Sequence, residues 1–415
     1  MGNRVFARFG ALCFGLQFVW GAVLAVSLQA RSVTLSPQNG LRAYALIAAL
    51  GALVGMLTQL FSGPLADRYL VRFGNRRLFY AIGVGIAGPA LLWFYLAPSY
   101  GQLLLAFFSL EFGMNIVSGP YAAIVPDYVP QRQTGAASSW MGILQSVGNA
   151  GGLLVAGFVG NLFLVAGVLV VVLGISWCVS VHATQRPKLQ VALRQPFFVG
   201  QAFRTLLVSR FAINVGFYTL LGFLFFFVSE SLGTAVRDIR LHTALLFLAF
   251  TLANVLGAGL AARPTDMFDK RAVVLVANGV VAIGLVLLLF SPSLMVAVVA
   301  ATIAGVGWGA YFVADWSLAC VILPRGAMAS AMSVWNIAAT LPQILAPLLT
   351  LPLVERCNLL LPGSGPRMAI GLVVLEFTFG ALWLYRLPLS VVKPMAFGEK
   401  KEQTKKPQAV AASGF

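Results

Sequence analysis

The sequence predicts an all-α membrane protein, with twelve transmembrane helices in two six-helix halves and both termini cytoplasmic. Composition is the first ground: of 415 residues, 60% are hydrophobic and 10% charged, far from the usage of a water-soluble domain. The second is length. Apolar runs of the roughly 20 residues that a helix needs to cross the hydrocarbon core recur at 6–29, 41–66, 79–96, 101–124, 138–158, 162–181, 205–232, 241–262, 272–290, 294–323, 329–354 and 366–385. The third is where the cations fall.

A net charge of +16 invites a polynucleotide partner, but its distribution argues against nucleic acid. With the N-terminus inside, one side collects Arg4 and Arg8, Arg68, Arg72, Arg76 and Arg77, then Arg132. The middle linker region adds Arg186, Lys188, Arg194, Arg204 and Arg210; Arg263, Lys270, Arg271, Arg325 and the tail complete the set. Only Arg31, Arg42, Arg237, Arg240, Arg356 and Arg367 fall opposite. This is the positive-inside pattern of a multi-pass protein of the plasma (inner) membrane, with anionic lipid as the partner of the basic excess. The first span is not followed by a cleavage-site pattern and reads as a retained helix.

The domains expected are an N-terminal half at 1–181, a cytoplasmic linker at 182–204, a C-terminal half at 205–387 and a basic tail at 388–415. The tail, with Lys400, Lys401, Lys405 and Lys406, has little to bury. One constant shift carries Gly63 onto Gly257, Arg77 onto Arg271, Gly113 onto Gly307 and Pro130 onto Pro324, as an internal duplication would. The scattered Cys13, Cys178, Cys320 and Cys357, with only His182 and His242, offer no disulfide framework, metal spacing or nucleophile–base arrangement. No cofactor and no enzyme activity are expected. Two six-helix halves without an attached ATPase suggest a monomeric secondary transporter. Its small polar solute would bind near the midplane, reached by alternating access. A non-transporting membrane assembly or sensor protein is the competing class.

Polar residues within the spans mark candidate sites, because an ionised group at bilayer depth costs several kcal/mol. Span one carries Gln17 and Trp20. Span four carries Glu111, a candidate proton site, with Asn115 one turn on. Span seven offers Asn214 and Tyr218, and span eleven Asn336 and Gln343; amides both donate and accept, which suits a polyhydroxyl ligand, although helix-to-helix bonds compete. In span ten Trp308, Tyr311 and Asp315 follow one helix face, fit for substrate or proton contact. Glu376 in span twelve and Glu230 at the end of span seven are weaker candidates. Between spans two and three, Gly63 allows close helix approach and Gly74 a turn that other residues resist. Asp67, at an expected helix end amid Arg68, Arg72, Arg76 and Arg77, can pair with guanidiniums and receive a neighbouring helix dipole, forming a conformational latch.

That loop, Gly63-x-x-x-Asp67-Arg68 followed by Arg72-x-Gly74-Asn75-Arg76-Arg77, resembles the helix two–three loop of the major facilitator superfamily, and more narrowly the sucrose/proton symporter and glycoside transporter branch. Glu111, Asn115, Gly119-Pro120 and Asp127 match the spacing in that branch's fourth helix, and Asn336-Ile337-Ala338 with Pro342-Gln343 its eleventh. The resemblance implies the major facilitator fold and a proton-coupled symporter of a sugar, glycoside or similar polar solute. A proton-driven exporter of amphipathic drugs or metabolites would use the same acids. The chain departs from the branch at Glu111, where Asp is usual, at Asn75, where Arg is common, and at Ala122, where plant sucrose carriers have Arg.

Overall fold

The computed structural model describes residues 2–38, 40–183, 200–233, 238–323 and 327–387. Most of the expected linker, the tail and Pro324 lie outside the described residues. Twelve helices are long and apolar enough to span a membrane. They are α1 Asn3–Ala22, α2 Leu46–Phe73, α3 Arg77–Leu96, α4 Tyr100–Tyr128, α5 Gln131–Phe158, α6 Leu162–His182, α7 Gln201–Leu224, α8 Leu245–Met267, α9 Lys270–Leu289, α10 Leu294–Ile322, α11 Met328–Leu360 and α12 Ser364–Arg386. Each coincides with a run anticipated from apolarity. The chief displacement is α2, which continues past Asp67 to Phe73, so this buried acid projects from a helix body and not from its end. Gly74 then breaks the helix at φ +71°, a region that side chains with a Cβ avoid.

Within α1–α6, α1 packs on α5 and α6, and α4 on α2 and α3; within α7–α12, α10 packs on α8 and α9, and α7 on α11 and α12. Large apolar side chains face out along the helices, as Leu248, Leu252, Leu256 and Leu260 do along α8 at one-turn spacing. Such a stripe, costly in water, suits lipid. With no hydrophobic force between helices in lipid, close backbone approach does the packing, and small residues permit it. A Cβ on Gly113 of α4 would lie 2.8 Å from Ala87 N and 2.9 Å from Gly83 O on α3. One on Gly307 of α10 would lie 2.6 Å from Val281 N and 2.7 Å from Ala277 O on α9. The four contact residues are related by the same shift as the two glycines, so the duplication is legible in packing. Gly63 and Gly257 have diverged: the former faces α11 in the other half, the latter Val306 of α10 in its own.

The first helix of each half runs into one π-helical turn, Val23–Ser27 after α1, where α-helix resumes over Leu28–Leu35, and Phe227–Ser231 after α7. The two halves meet through α2 with α11, α5 with α8, α4 with α11 and α5 with α10. The face that carries residues 74–76, 129–130 and 268–269 is called the basic side below, and its opposite the far side.

Replacing either Gly113 or Gly307 by Val should destabilise the fold by about 1–3 kcal/mol, the usual cost of overpacking. Gly101→Val, where nothing lies within 4 Å, should be neutral. Thermal unfolding of the detergent-purified protein, followed by intrinsic fluorescence, measures all three.

Candidate functional site

Two carboxylates fasten one half to the other, both on the basic side. A helix leaves its first four N–H groups without intrahelical partners. At the start of α11, Ala329 N donates to Asp67 Oδ1 at 3.0 Å, and Ser330 N and Oγ donate to Asp67 Oδ2 at 2.8 and 2.6 Å. At the start of α5, Gly135 N and Ala136 N donate to Asp266 Oδ1 and Oδ2 at 2.7 and 3.0 Å. The capped pairs Gly135–Ala136 and Ala329–Ser330 are again related by the internal shift. The negative carboxylates also meet the positive ends of the helix dipoles. Thr134 Oγ1 with Ser317 Oγ at 2.6 Å, Ser139 Oγ to Ala258 O at 2.7 Å and Asn254 Nδ2 to Ser146 Oγ at 3.0 Å continue the seam inward.

Arg76 joins the first of these contacts. Its Nη1 lies 2.8 Å from Asp67 Oδ1 and its Nε donates to Asp127 Oδ2 at 2.8 Å, with the guanidinium only 3% exposed. Asp67 is thus held rigid by a cation while it caps α11. Gly63 lets α11 close: a Cβ there would lie 2.5 Å from Ser333 Oγ and 2.9 Å from Ala329 O. Gly119, from the Gly-Pro pair of α4, stands against the same hydroxyl. Of the arginines anticipated in the latch, Arg76 enters it, whereas Arg68 and Arg72 are exposed and Arg77 is half-buried at the start of α3. Asp266 went unnoticed in the sequence. The shift places Ala261, not an acid, opposite Asp67, and Asp266 reaches the equivalent helix end from five residues further on. Its visible signal was an acid just before Lys270-Arg271, echoing Asp67 before Arg76-Arg77.

Glu111 is buried between α2 and α4 among amides. Asn115 Nδ2 donates to Glu111 Oε2 at 2.8 Å and to the Glu111 carbonyl at 2.8 Å, while Asn115 Oδ1 accepts from Gln59 Nε2 at 2.6 Å. Gly55 makes the space: a Cβ there would lie 2.7 Å from both Glu111 Oε2 and Asn115 Nδ2. Gln59 is a member that sequence reading passed over, although it lies one turn after Gly55.

Asp315 has a different setting. It is buried and ion-paired with Arg210 Nη1 of α7. This corrects the sequence reading of Arg210 as part of the basic interface: it lies within span α7 and is 6% exposed. A long cation inside a span is tolerated because Asp315 balances it and the Trp335 ring of α11 stacks on it, 3.4 Å from the guanidinium carbon. Tyr311 is buried one turn before Asp315. Trp308 stacks flat on Phe217 at 4.1 Å, with Phe377 of α12 5.9 Å away.

The remaining candidates have mixed fates. Asn214 Nδ2 donates to the Arg210 carbonyl at 2.8 Å, a bond internal to α7 that steadies the arginine. Gln343 Nε2 donates to Tyr218 Oη at 2.7 Å, joining α11 to α7. Asn336 is half-buried on α11, and Gln17 and Trp20 are half-buried on α1. Glu376 backs onto Gly216 of α7, and Glu230 Oε2 accepts from Asn358 Nδ2 at 2.8 Å near the far side. The structure therefore gathers Asp315, Tyr311 and Trp308 in one half and Glu111 with Asn115 in the other.

Two halves of six helices, capped into each other at one face and holding acids in their spans, define the class of secondary-active transporters that work by alternating access. The chain belongs to the Major Facilitator Superfamily, whose family model matches residues 8–347. Membership makes it a transporter and not an enzyme. No curated protein matches the sequence. Among solved structures, a bacterial homologue of the iron transporter ferroportin in an outward-facing state superposes with a TM-score of 0.74 at 13% identity, covering 93% of this chain and 99% of that one. The human organic anion transporter MFSD10 (TETRAN) gives 0.72 at 14%, covering 92% and 99%. The transporter FucP in the outward conformation gives 0.66 at 13%, covering 90% and 98%. At such identities the likeness is one of fold.

If Asp67 holds α11 shut, Ser333 should be hidden behind Gly63. In a variant lacking the four native cysteines, Ser333→Cys should react slowly with a membrane-impermeant maleimide. Adding Asp67→Ala leaves two N–H groups uncapped, a loss of about 1–3 kcal/mol, and should speed labelling roughly tenfold or more.

Proposed function

We propose that the chain is a proton-coupled symporter of a small polar solute of the sugar or glycoside type, working in the plasma (inner) membrane with its basic side cytoplasmic. On that orientation the latched face is the cytoplasmic one, and the conformation is outward-facing. The observation that carries the reading is the setting of Glu111: a buried carboxyl in mid-span, bonded to Asn115, in line with Gln59, and in no ion pair among the described residues. Without a fixed counter-charge, a carboxyl in lipid depth is most cheaply occupied as the neutral acid. Rocking of the halves that admits water to it would let the proton leave, and the return stroke would reload it. The motif matches in α2, α4 and α11 support the symporter branch. Ala122, 2% exposed in the place of the sucrose carriers' Arg, argues against sucrose itself.

The bacterial ferroportin homologue, named for its likeness to an iron transporter, is similar to this chain in fold alone. Among the described residues no group of three or more His, Cys, Asp or Glu could hold a metal ion. One observation favours the exporter reading instead: the Phe217–Trp308–Phe377 aromatic group would suit an amphipathic solute.

The proton role is tested in liposomes with a panel of labelled sugars and sugar acids under an imposed pH gradient. Wild type should accumulate at least one of them. Glu111→Gln should lose accumulation at least tenfold while retaining solute exchange. Unchanged accumulation in the variant would remove Glu111 from the coupling role, and expulsion of cationic dyes with no sugar uptake would select the exporter.

A further inference from the structure

Arg210 stands at the centre of more hydrogen-bond donors than the protein satisfies. A guanidinium presents five N–H groups. One arm reaches Asp315, and one face is covered by Trp335. Arg210 Nε is buried with no acceptor among the described residues, and so are the indole nitrogens of Trp335 and Trp316. The two indoles pack edge to face at 5.1 Å, so the idle donors belong to one cluster. Each buried donor left without an acceptor is destabilising, and a purely structural brace of α7, α10 and α11 gains nothing from carrying several. Among the described residues, the carboxylate on the guanidinium is that of Asp315.

We propose that this cluster is the binding site for an anionic group of the transported solute, and that the solute is a hydroxylated carboxylic acid and not a neutral sugar. This deepens the reading above and rests on it. The chemistry follows from the donor set. Three idle N–H groups, with the buried Tyr311 hydroxyl, which can donate as well, select a ligand rich in acceptors. A planar guanidinium selects a planar, two-oxygen acceptor, which is a carboxylate. The Trp335 ring holds the guanidinium flat, so little is lost in ordering it on binding. Asp315 is then the internal occupant of the site, keeping Arg210 compensated until the solute carboxylate displaces it.

Location supports the assignment. The segment of α10 that carries Asp315 borders the other half, through Phe312 against Gly142 of α5 and Ser317 bonded to Thr134. The cluster therefore lies directly behind the latched basic face, where a solute entering from the far side would stop. The same placement lets the bound anion contribute to holding α7, α10 and α11 together, because all three supply a member of the cluster.

The test uses the full-length protein in phosphatidylcholine nanodiscs at constant ionic strength. Tryptophan emission, for which Trp335 and Trp316 are built-in reporters, is titrated with matched acid and neutral pairs: glucuronate and glucose, galacturonate and galactose, gluconate and glucitol. At least one acid should bind ten or more times tighter than its neutral partner. Asp315→Asn should tighten that acid about tenfold, because the internal competitor is gone. Arg210→Lys, which keeps the charge but loses the fork and the stack, should weaken it about tenfold. The paired substitution Arg210→Gln with Asp315→Asn leaves no uncompensated charge to unfold the protein and should erase the preference. Neutral partners binding as well as acids, no binding by any acid, or acid binding indifferent to Arg210→Lys and Asp315→Asn would each overturn the proposal. The outcome is separable from that of the symporter reading. Gradient-driven uptake of neutral sugars alone sinks only the anion site; acid binding without any proton movement sinks only the proton coupling.

Discussion

A buried helix N-terminus must find acceptors for its first N–H groups, and in this protein two of them find those acceptors across the central seam. α5 begins at residues whose N–H groups bond Asp266 of the other half, and α11 begins at residues whose N–H groups bond Asp67. Local capping by Ser, Thr, Asp or Asn just before the helix is the common solution. Here the cap is supplied by the partner half, so helix termination and domain closure become one event. The energetics favour reversibility. When the halves part, both carboxylate and N–H groups regain water, so the net worth of each cap is about 1–3 kcal/mol and not the full strength of the bonds. Two such caps can hold a face shut and still yield to the differential binding of a solute.

Around that constraint the scaffold is twofold in its packing but not in its polar chemistry. The glycine contacts of α3 with α4 and of α9 with α10 correspond residue for residue, as do the capped N–H pairs. The acids that do the capping come from different offsets, and Asp67 alone is shown ion-paired, through Arg76 to Asp127. In the spans the contrast is sharper. The N-terminal half presents a carboxyl among amides, the C-terminal half an ion pair flanked by aromatic rings. Duplication explains the shared framework, since helix packing in lipid constrains where small residues stand. The polar residues are free of that constraint, which leaves the halves able to take separate tasks.

Much of this was legible in the sequence, for reasons that vary with the residue. The twelve spans are visible because lipid demands an unbroken apolar run, although single ends of α2, α5, α7 and α11 fall six to eight residues from the expected ones. Asp67 and Gly63 were legible because the loop motif ties an acid and a small residue to a fixed spacing. Arg210 was misread, because a cation a few residues beyond a basic linker looks the same in sequence whether it snorkels to the surface or turns inward onto Asp315. Only the facing of α7 decides, and that is set by contacts with α10 and α11, far along the chain. Gln59 and Gly55 were hidden for the same reason: they matter through α4, not through their neighbours in α2. Asp266 was missed because the duplication that exposes other landmarks is out of register at this one residue.

The central claim is that Asp67 and Asp266 together close one face by capping helices of the opposite half. Distances between spin labels measure this most directly. With labels at Val71→Cys and Met267→Cys on the basic side, both exposed positions, and a second pair at Phe158→Cys and Phe290→Cys on the far side, double electron–electron resonance reports both faces in lipid. The account predicts a dominant short basic-side distance in the protein that lacks its four native cysteines and is otherwise unaltered. In the Asp67→Asn, Asp266→Asn double variant it predicts a shift to longer basic-side distances with a matching contraction on the far side. Identical distributions in the two proteins, in a variant that remains folded, would contradict it.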